Sequence, residues 1–336
     1  MIREYLKLAR SFNAVLTGIS PVMGAIAMQQ YDLGVLCILF LIGFLGHSFG
    51  FVFNDIIDYR IDKSSEEISD RPLLSGTISL RNAWIFAMFC IVFAFVLAFF
   101  IAYQTGIYYP ILILLGSALS IIIYDLISKK FPFMDIFVAL GIFLFILYGS
   151  ATQAHSIYQI TDIALIVCVL GSIQVLYMQI VAGGFKDVEN DYKKGANTAA
   201  VKLGVRVVEN KLLVSNSFKF VAYTIQFIDI FLVFLPFILY ASFRSSLVLN
   251  IFQWICLGFI GFLMFVLSHR LLTMPTFKRK QARTYIGSHY MINFALVPIL
   301  LMSFNPWAGI LVFFPALGFI LSNIILHKTI LQPKTM

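Results

Sequence analysis

Apolar runs close to 20 residues long recur along this chain, separated by polar stretches. Ten of them read as candidate membrane spans, near 12–30, 33–53, 83–104, 107–124, 133–150, 162–182, 217–240, 247–270, 286–302 and 306–326. A run of that length crosses a hydrocarbon core of about 30 Å as a helix. In lipid a helix satisfies its own backbone hydrogen bonds, which an open strand does not. The pattern therefore predicts an all-α, polytopic bundle of nine or ten spans, one membrane-embedded domain over residues 1–336. The first run follows Arg3, Lys7 and Arg10, the order a cleaved leader would have. The span count needs that segment, so it is read as a span.

Basic residues set the orientation. One set of connections holds Arg60, Lys63, Arg71 and Arg81, then Lys129 and Lys130, then Lys186, Lys193, Lys194, Lys202 and Arg206, then Lys278, Arg279, Lys280 and Arg283. The opposite set holds little beyond Asp32, Asp162 and Arg244. By the positive-inside rule the first set, with both termini, faces the cytoplasm of a multi-pass cell-membrane protein. Two cytoplasmic loops are much longer than the rest, about 54–82 and 183–216, and these are where chemistry is expected.

Composition narrows the class further. The chain is 60% hydrophobic and 12% charged, against about 25% charged in soluble domains, so no soluble domain fits within it. The net charge of +8 suits loops that meet anionic head groups. No aromatic-interleaved basic element suggests nucleic acid. Cys37, Cys90, Cys168 and Cys256 all fall inside apolar runs, with neither disulfide nor zinc spacing.

The two long loops carry similar acidic patterns. The first reads "GFVFNDIIDYRID" followed by "DRPLLSG"; the second reads "AGGFKDVENDYKKGANTAAVKLG". Asp55 and Asp187 are 132 residues apart, which suggests an internal duplication with both loops over one central cavity open toward the cytoplasm. Continued as a helix, the second span places Asn54, Asp55, Asp58 and Asp62 within an arc of about 100°. Asp187 and Asp191 likewise share a helix face, with Lys194 beside them, while Glu189 points away. Carboxylates in a stripe repel one another, and a helix C-terminus disfavours them. A hard divalent cation is the natural counter-charge, and Mg2+ is usually shared between carboxylates and substrate phosphates. Asn54, Asp55, Asp58, Asp62, Asp187 and Asp191 are thus candidate metal ligands. Arg71, Lys129, Lys130, Lys186 and Lys194 are placed to take the remaining charge of a diphosphate. Beside a greasy bundle the diphosphate is expected to be a lipid's. Its ionisation gives an allylic carbocation in a water-poor cavity.

These motifs resemble those of the UbiA superfamily of intramembrane prenyltransferases. Its first signature, N-D-x-x-D-x-x-x-D, is complete at Asn54, Asp55, Asp58 and Asp62, and its RPLxSG tail stands as Arg71 to Gly76. Its second signature, D-x-x-x-D, matches Asp187 and Asp191. The family's Tyr and Lys after span four match Tyr124 and Lys129, five apart where four is usual. Arg10 and Asn13 stand where the family often has an Arg and an Asn. The resemblance covers about residues 5–270. It implies a helical bundle of usually nine spans, Mg2+ dependence and transfer of a polyprenyl group from its diphosphate to an acceptor. It casts Asp58, Asp62, Asp187, Asp191 and Tyr124 as catalytic and adds Arg10 to the diphosphate contacts.

The acceptor is read from two positions. Relatives that prenylate 4-hydroxybenzoate have an Arg seven residues before the motif Asn; here it is His47. The interval from Asp62 to Arg71 matches the relatives with aromatic substrates, whereas archaeal lipid relatives are two residues shorter there. The expectation is a small hydrophobic or aromatic acceptor, a quinone precursor, with His47 and Asn13 near it. The alternative is a glycerol-phosphate ether-lipid precursor. From other classes, a transporter would use a mid-span acid such as Asp229, and a lipid-binding scaffold would bind without turnover. Asp229 is read as hydrogen-bonded to the bundle, and Gln174, His289 and Asn293 as packing contacts between helices.

Overall fold

A computed structural model of the chain describes residues 1–63, 70–128, 130–185, 188, 198–208, 211–244 and 246–330. In chain order its helices are α1 (Ile2–Leu8), α2 (Ser11–Ala27), α3 (Leu33–Asp62), α4 (Leu80–Thr105), α5 (Pro110–Ile127), α6 (Asp135–Ala151) and α7 (Asp162–Tyr177). There follow α8 (Ala199–Lys202), α9 (Asn216–Leu239), α10 (Leu247–Leu272), α11 (Arg279–Asn293), α12 (Leu296–Leu301) and α13 (Phe313–His327). Each of the ten expected spans coincides with one apolar helical segment. Among the described residues eight segments are long and apolar enough to cross a membrane; Ser11–Ala27 and Asp135–Ala151 are apolar but shorter.

The boundaries follow local chemistry. Asp32 accepts a hydrogen bond from the Val35 amide and starts α3; Ser79 and Ser215 do the same for α4 and α9. Gly106, at φ +72°, closes α4 in the left-handed conformation that a residue without Cβ adopts freely. Phe89, Phe93, Leu112, Leu119, Phe259 and Phe262 project from the bundle. That surface suits lipid and would aggregate in water.

The chain forms two compact units, to which α6 and α7 both contribute. The first comprises Met1–Leu126, Leu144–Leu165 and Phe313–Met336. Here α3 packs between α2 and α4, and α13 lies on α2. Glycines bring backbones close, as lipid-embedded packing favours. A Cβ on Gly149 would lie 1.9 Å from the Pro21 carbonyl oxygen, and one on Gly24 2.1 Å from that of Ile146. Ser150 Oγ reinforces this contact by donating to the Gly24 carbonyl at 3.0 Å.

The second unit comprises Ile127–Phe143 and Ile166–Val312. α10 packs on α9 and α11, and Gln253 Nε2 ties α10 to α12 by donating to the Ile299 carbonyl at 2.7 Å. Two features were not expected from the sequence. Strands β1 (Arg206–Val208) and β2 (Lys211–Leu213) pair antiparallel within the second long loop. The helix after Tyr177 also loosens into a π-helical turn, Met178–Gly183. Such turns occur often at functional positions, and this one leads directly into the second acidic stretch.

Candidate active site

α3 is one unbroken helix of 30 residues through the first acidic motif. At 1.5 Å per residue it is about 45 Å long, more than the hydrocarbon core requires. Its last turns therefore carry Asn54, Asp55, Asp58 and Asp62 on one face, as the spacing predicts. Asp55 and Asp58 are buried, and Asn54 and Asp62 are half-buried. Val52, Phe53 and Ile56, on the same turns, enter an apolar core with Leu8, Ala83, Ala87 and Cys90. That packing orients the helix and so aims the carboxylates.

Two arginines converge on the stripe. Arg10 Nη2 lies 2.8 Å from Asp55 Oδ1. Arg71 Nη1 lies 3.1 Å from Asp62 Oδ2 and 3.5 Å from Asp55 Oδ1. Arg71 arrives through the "RPLLSG" tail, which folds as a turn. The Ser75 amide donates to the Arg71 carbonyl and the Ile78 amide to that of Pro72. Gly76 sits at φ +76°, and Leu73 and Ile78 anchor in the apolar core.

Arg10 is placed by a different device. It occupies the break between α1 and α2 with φ +47°, an unfavourable backbone for a residue with a side chain. His47 braces it. The His47 Nδ1 atom is 2.8 Å from Thr17 Oγ1, and Nε2 is 3.4 Å from the Arg10 carbonyl oxygen. A carbonyl only accepts, so Nε2 carries the proton and Nδ1 accepts from the threonine hydroxyl. The His47 ring packs on Phe51 at 4.4 Å, and the Arg10 guanidinium lies 4.7 Å from the centre of the same Phe51 ring. Both ring nitrogens of His47 thus have protein partners, a different setting from the acceptor contact expected of it.

One acidic residue escaped the sequence reading. Asp125, on α5, is buried, and its Oδ1 accepts from Asn54 Nδ2 at 3.0 Å. Its charged neighbours are Asp58, Asp55 and Arg10. It follows Tyr124, which had drawn notice on resemblance alone, and no spacing rule links it to Asn54 71 residues away. The three carboxyl groups of the α3 face (Asp55, Asp58, Asp62) thus outnumber by one the two guanidinium groups that meet it (Arg10, Arg71).

The remaining expected residues divide into two groups. Tyr124 is half-buried beside Asp125, and Asn13 Oδ1 is buried with no hydrogen-bond partner among the described residues. Lys130 is exposed. Lys129, Lys186, Asp187, Asp191 and Lys194 lie outside the described residues. Among the described residues no three His, Cys, Asp or Glu side chains stand close enough to enclose an ion by themselves. The donors are nevertheless all oxygen. Mg2+ needs only one or two carboxylates when phosphates and water complete its shell, so this set fits it.

The site therefore couples an acidic helix face to one buried arginine, Arg10, and one half-buried, Arg71. Residues 14–282 match the model of the UbiA prenyltransferase family. The chain belongs to that family. It is a prenyltransferase and, with its apolar helices, an integral multi-pass membrane protein. Among its relatives are digeranylgeranylglyceryl phosphate synthases of two archaea. That of Methanoregula boonei is 30% identical over 61% of this chain and 70% of its own length. That of Thermococcus gammatolerans is 28% identical over 61% of this chain and 71% of its own. A solved UbiA homologue from Archaeoglobus fulgidus, bound to GPP and Mg2+, superposes with a TM-score of 0.61 at 17% identity, over 88% of this chain and 99% of that one. Asp229, the residue a transporter would need, is buried and accepts from Gln174 Nε2 at 3.3 Å.

Proposed function

We propose that this UbiA-family protein transfers a prenyl group from a prenyl diphosphate to a hydroxyl of a glycerol-phosphate ether-lipid precursor, on the cytoplasmic side of the membrane. The buried carboxylate face of α3, held between Arg10 and Arg71, is the observation that carries the donor half of this reading. The named relatives support the acceptor half.

Mg2+, when bound, would neutralise the diphosphate and stabilise pyrophosphate as a leaving group. Asp55, Asp58 and Asp62 would supply carboxylate oxygens to it, and Asn54 an amide oxygen. Arg10 and Arg71 now neutralise Asp55 and Asp62. They are placed to turn to phosphate oxygens once a metal supplies the counter-charge. Asp187 and Asp191, with Lys129, Lys186 and Lys194, are assigned by sequence to the same metal–diphosphate chemistry. The C–O bond to the prenyl group breaks and its electron pair leaves with pyrophosphate. The acceptor oxygen attacks the allylic cation and passes its proton to the departing pyrophosphate. Val52, Phe53 and Ile56 pack into the apolar core on the opposite face of α3 and so hold the carboxylate face in place.

The test supplies purified protein in lipid nanodiscs with Mg2+, geranylgeranyl diphosphate and one acceptor at a time. Mass spectrometry should show an ether product with geranylgeranylglyceryl phosphate. A product formed only with 4-hydroxybenzoate would restore the aromatic reading, which the Asp62–Arg71 interval favours. Absence of both, with no pyrophosphate release, would overturn the reaction class.

A further inference from the structure

We propose that an open cleft in the second unit, at the membrane boundary, binds the headgroup phosphate of an anionic membrane lipid, with Arg206 and Lys219 supplying the positive charge. No residue of the α3 face lines this cleft, and the site stands apart from the prenyl transfer proposed above.

The cleft has a volume of about 570 Å³, within the range of about 300–1,000 Å³ usual for ligand sites. The β1–β2 hairpin, the start of α9 and the end of α10 wall it. Leu212, Leu272 and Met274 give it a buried apolar part. Arg206, exposed, and Lys219, half-buried, give it a charged part. Among the described residues no Asp or Glu lines it. Hydrogen bonds hold the walls together. Ser215 Oγ donates to the Leu203 carbonyl and accepts from the Phe218 amide, which ties the approach to β1 to the first turn of α9. Lys211 of β2 bridges Thr276 beyond the end of α10.

The depth of the cleft points to lipid. Asn216–Leu239 and Leu247–Leu272 are both long and apolar enough to cross a membrane. The first begins and the second ends at the cleft, so it lies where hydrocarbon gives way to head groups. The hairpin suits that level. Arg206 opposes Leu213, and Val208 opposes Lys211. The four therefore share one face of the ribbon, and all four are exposed. Aliphatic groups beside cations fit a boundary where acyl chains and phosphates meet. Phe220, next to Lys219, is exposed as well. A free phosphate would have no use for the apolar part of the cleft, whereas a lipid fills both parts. The charge selects an anionic one. From Lys202 to Lys219 the sequence sets four cations (Lys202, Arg206, Lys211, Lys219) against one acid, Glu209. A basic residue beside anionic lipid is worth about fivefold in binding.

The experiment is native mass spectrometry of the full chain in detergent. It is titrated with phosphatidylglycerol, with phosphatidylcholine of the same acyl chains, and with inorganic phosphate as competitor. Wild type is compared with Arg206→Gln/Lys219→Gln. A second double variant, Arg81→Gln/Lys328→Gln, removes equal charge from exposed positions outside the cleft. Helical circular dichroism is recorded on each. Wild type should bind one phosphatidylglycerol at least about tenfold more tightly than phosphatidylcholine, and the cleft variant should lose at least about tenfold of that affinity. The Arg81/Lys328 variant should keep wild-type affinity. Equal loss in both double variants would show an effect of net charge alone and overturn the proposal. So would equal binding of the two lipids, or unchanged affinity in the cleft variant. Displacement of the lipid by an equal concentration of inorganic phosphate would mark a site for free anions and overturn it too. If the cleft double variant does not fold, Lys219→Gln alone takes its place, with a loss of about fivefold expected.

Discussion

Arg10 shows how much one residue can be asked to do. Its backbone is strained, its carbonyl is held by His47, its guanidinium rests on Phe51, and its Nη2 meets Asp55. Removing one partner of a buried ion pair costs more than the pair is worth, because it strands a charge. Arg10→Ala should destabilise the metal-free protein by about 3 kcal/mol, the low end for buried pairs, since both side chains keep a little solvent. Added Mg2+ should recover part of the lost melting temperature, a larger shift than in wild type. His47→Ala should act through Arg10. It should raise KM for the prenyl diphosphate more than it lowers kcat, which steady-state kinetics would separate. Asp58→Asn should lower kcat by at least about 100-fold while the protein remains folded.

At the scale of elements, two arrangements carry the site. The first is the length of α3, which continues as a helix beyond what a membrane demands. The second is the close crossing of α2 with the end of α6. There a Cβ at residue 149 would sit 1.9 Å from the Pro21 backbone. Gly149→Val must push α2 away, and Arg10 caps the start of α2. Overpacking of this kind costs about 1–3 kcal/mol. The variant should melt earlier in detergent and bind the prenyl diphosphate more weakly. Loss of stability with unchanged binding would show that α2 does not transmit the shift to Arg10.

At the scale of the whole molecule, the charge asymmetry and the metal dependence are joined. Acids on α3 outnumber the arginines beside them, and Asp187 and Asp191 are proposed to serve the same metal. Chelation with EDTA should therefore abolish prenyl transfer and leave helical circular dichroism unchanged, because the apolar packing, not the ion, holds the helices. Restoring Mg2+ should restore turnover. A protein whose helical signal collapsed on chelation would need a structural metal instead.

The apolar helical segments, their order and the acidic stripe of α3 were legible in the sequence. Hydrophobicity over about 20 residues and helical spacing over four are local properties, and lipid leaves the backbone few alternatives to a helix. What the sequence hid was everything that depends on residues far apart in the chain. Arg10 meets Asp55 across 45 positions, and Asn54 meets Asp125 across 71. No periodicity encodes those partners; the packing of α2 and α5 around α3 chooses them. His47 shows the same division. The sequence noted its distance from the motif and assigned it an acceptor, whereas the fold encloses both ring nitrogens with Thr17 and the Arg10 carbonyl. The strands at Arg206–Val208 and Lys211–Leu213 were missed because three-residue strands leave too short a pattern to read. The sequence alone determined which residues form an acidic face. Only the tertiary structure decided which groups meet that face, because burial and approach are set by the whole packed chain.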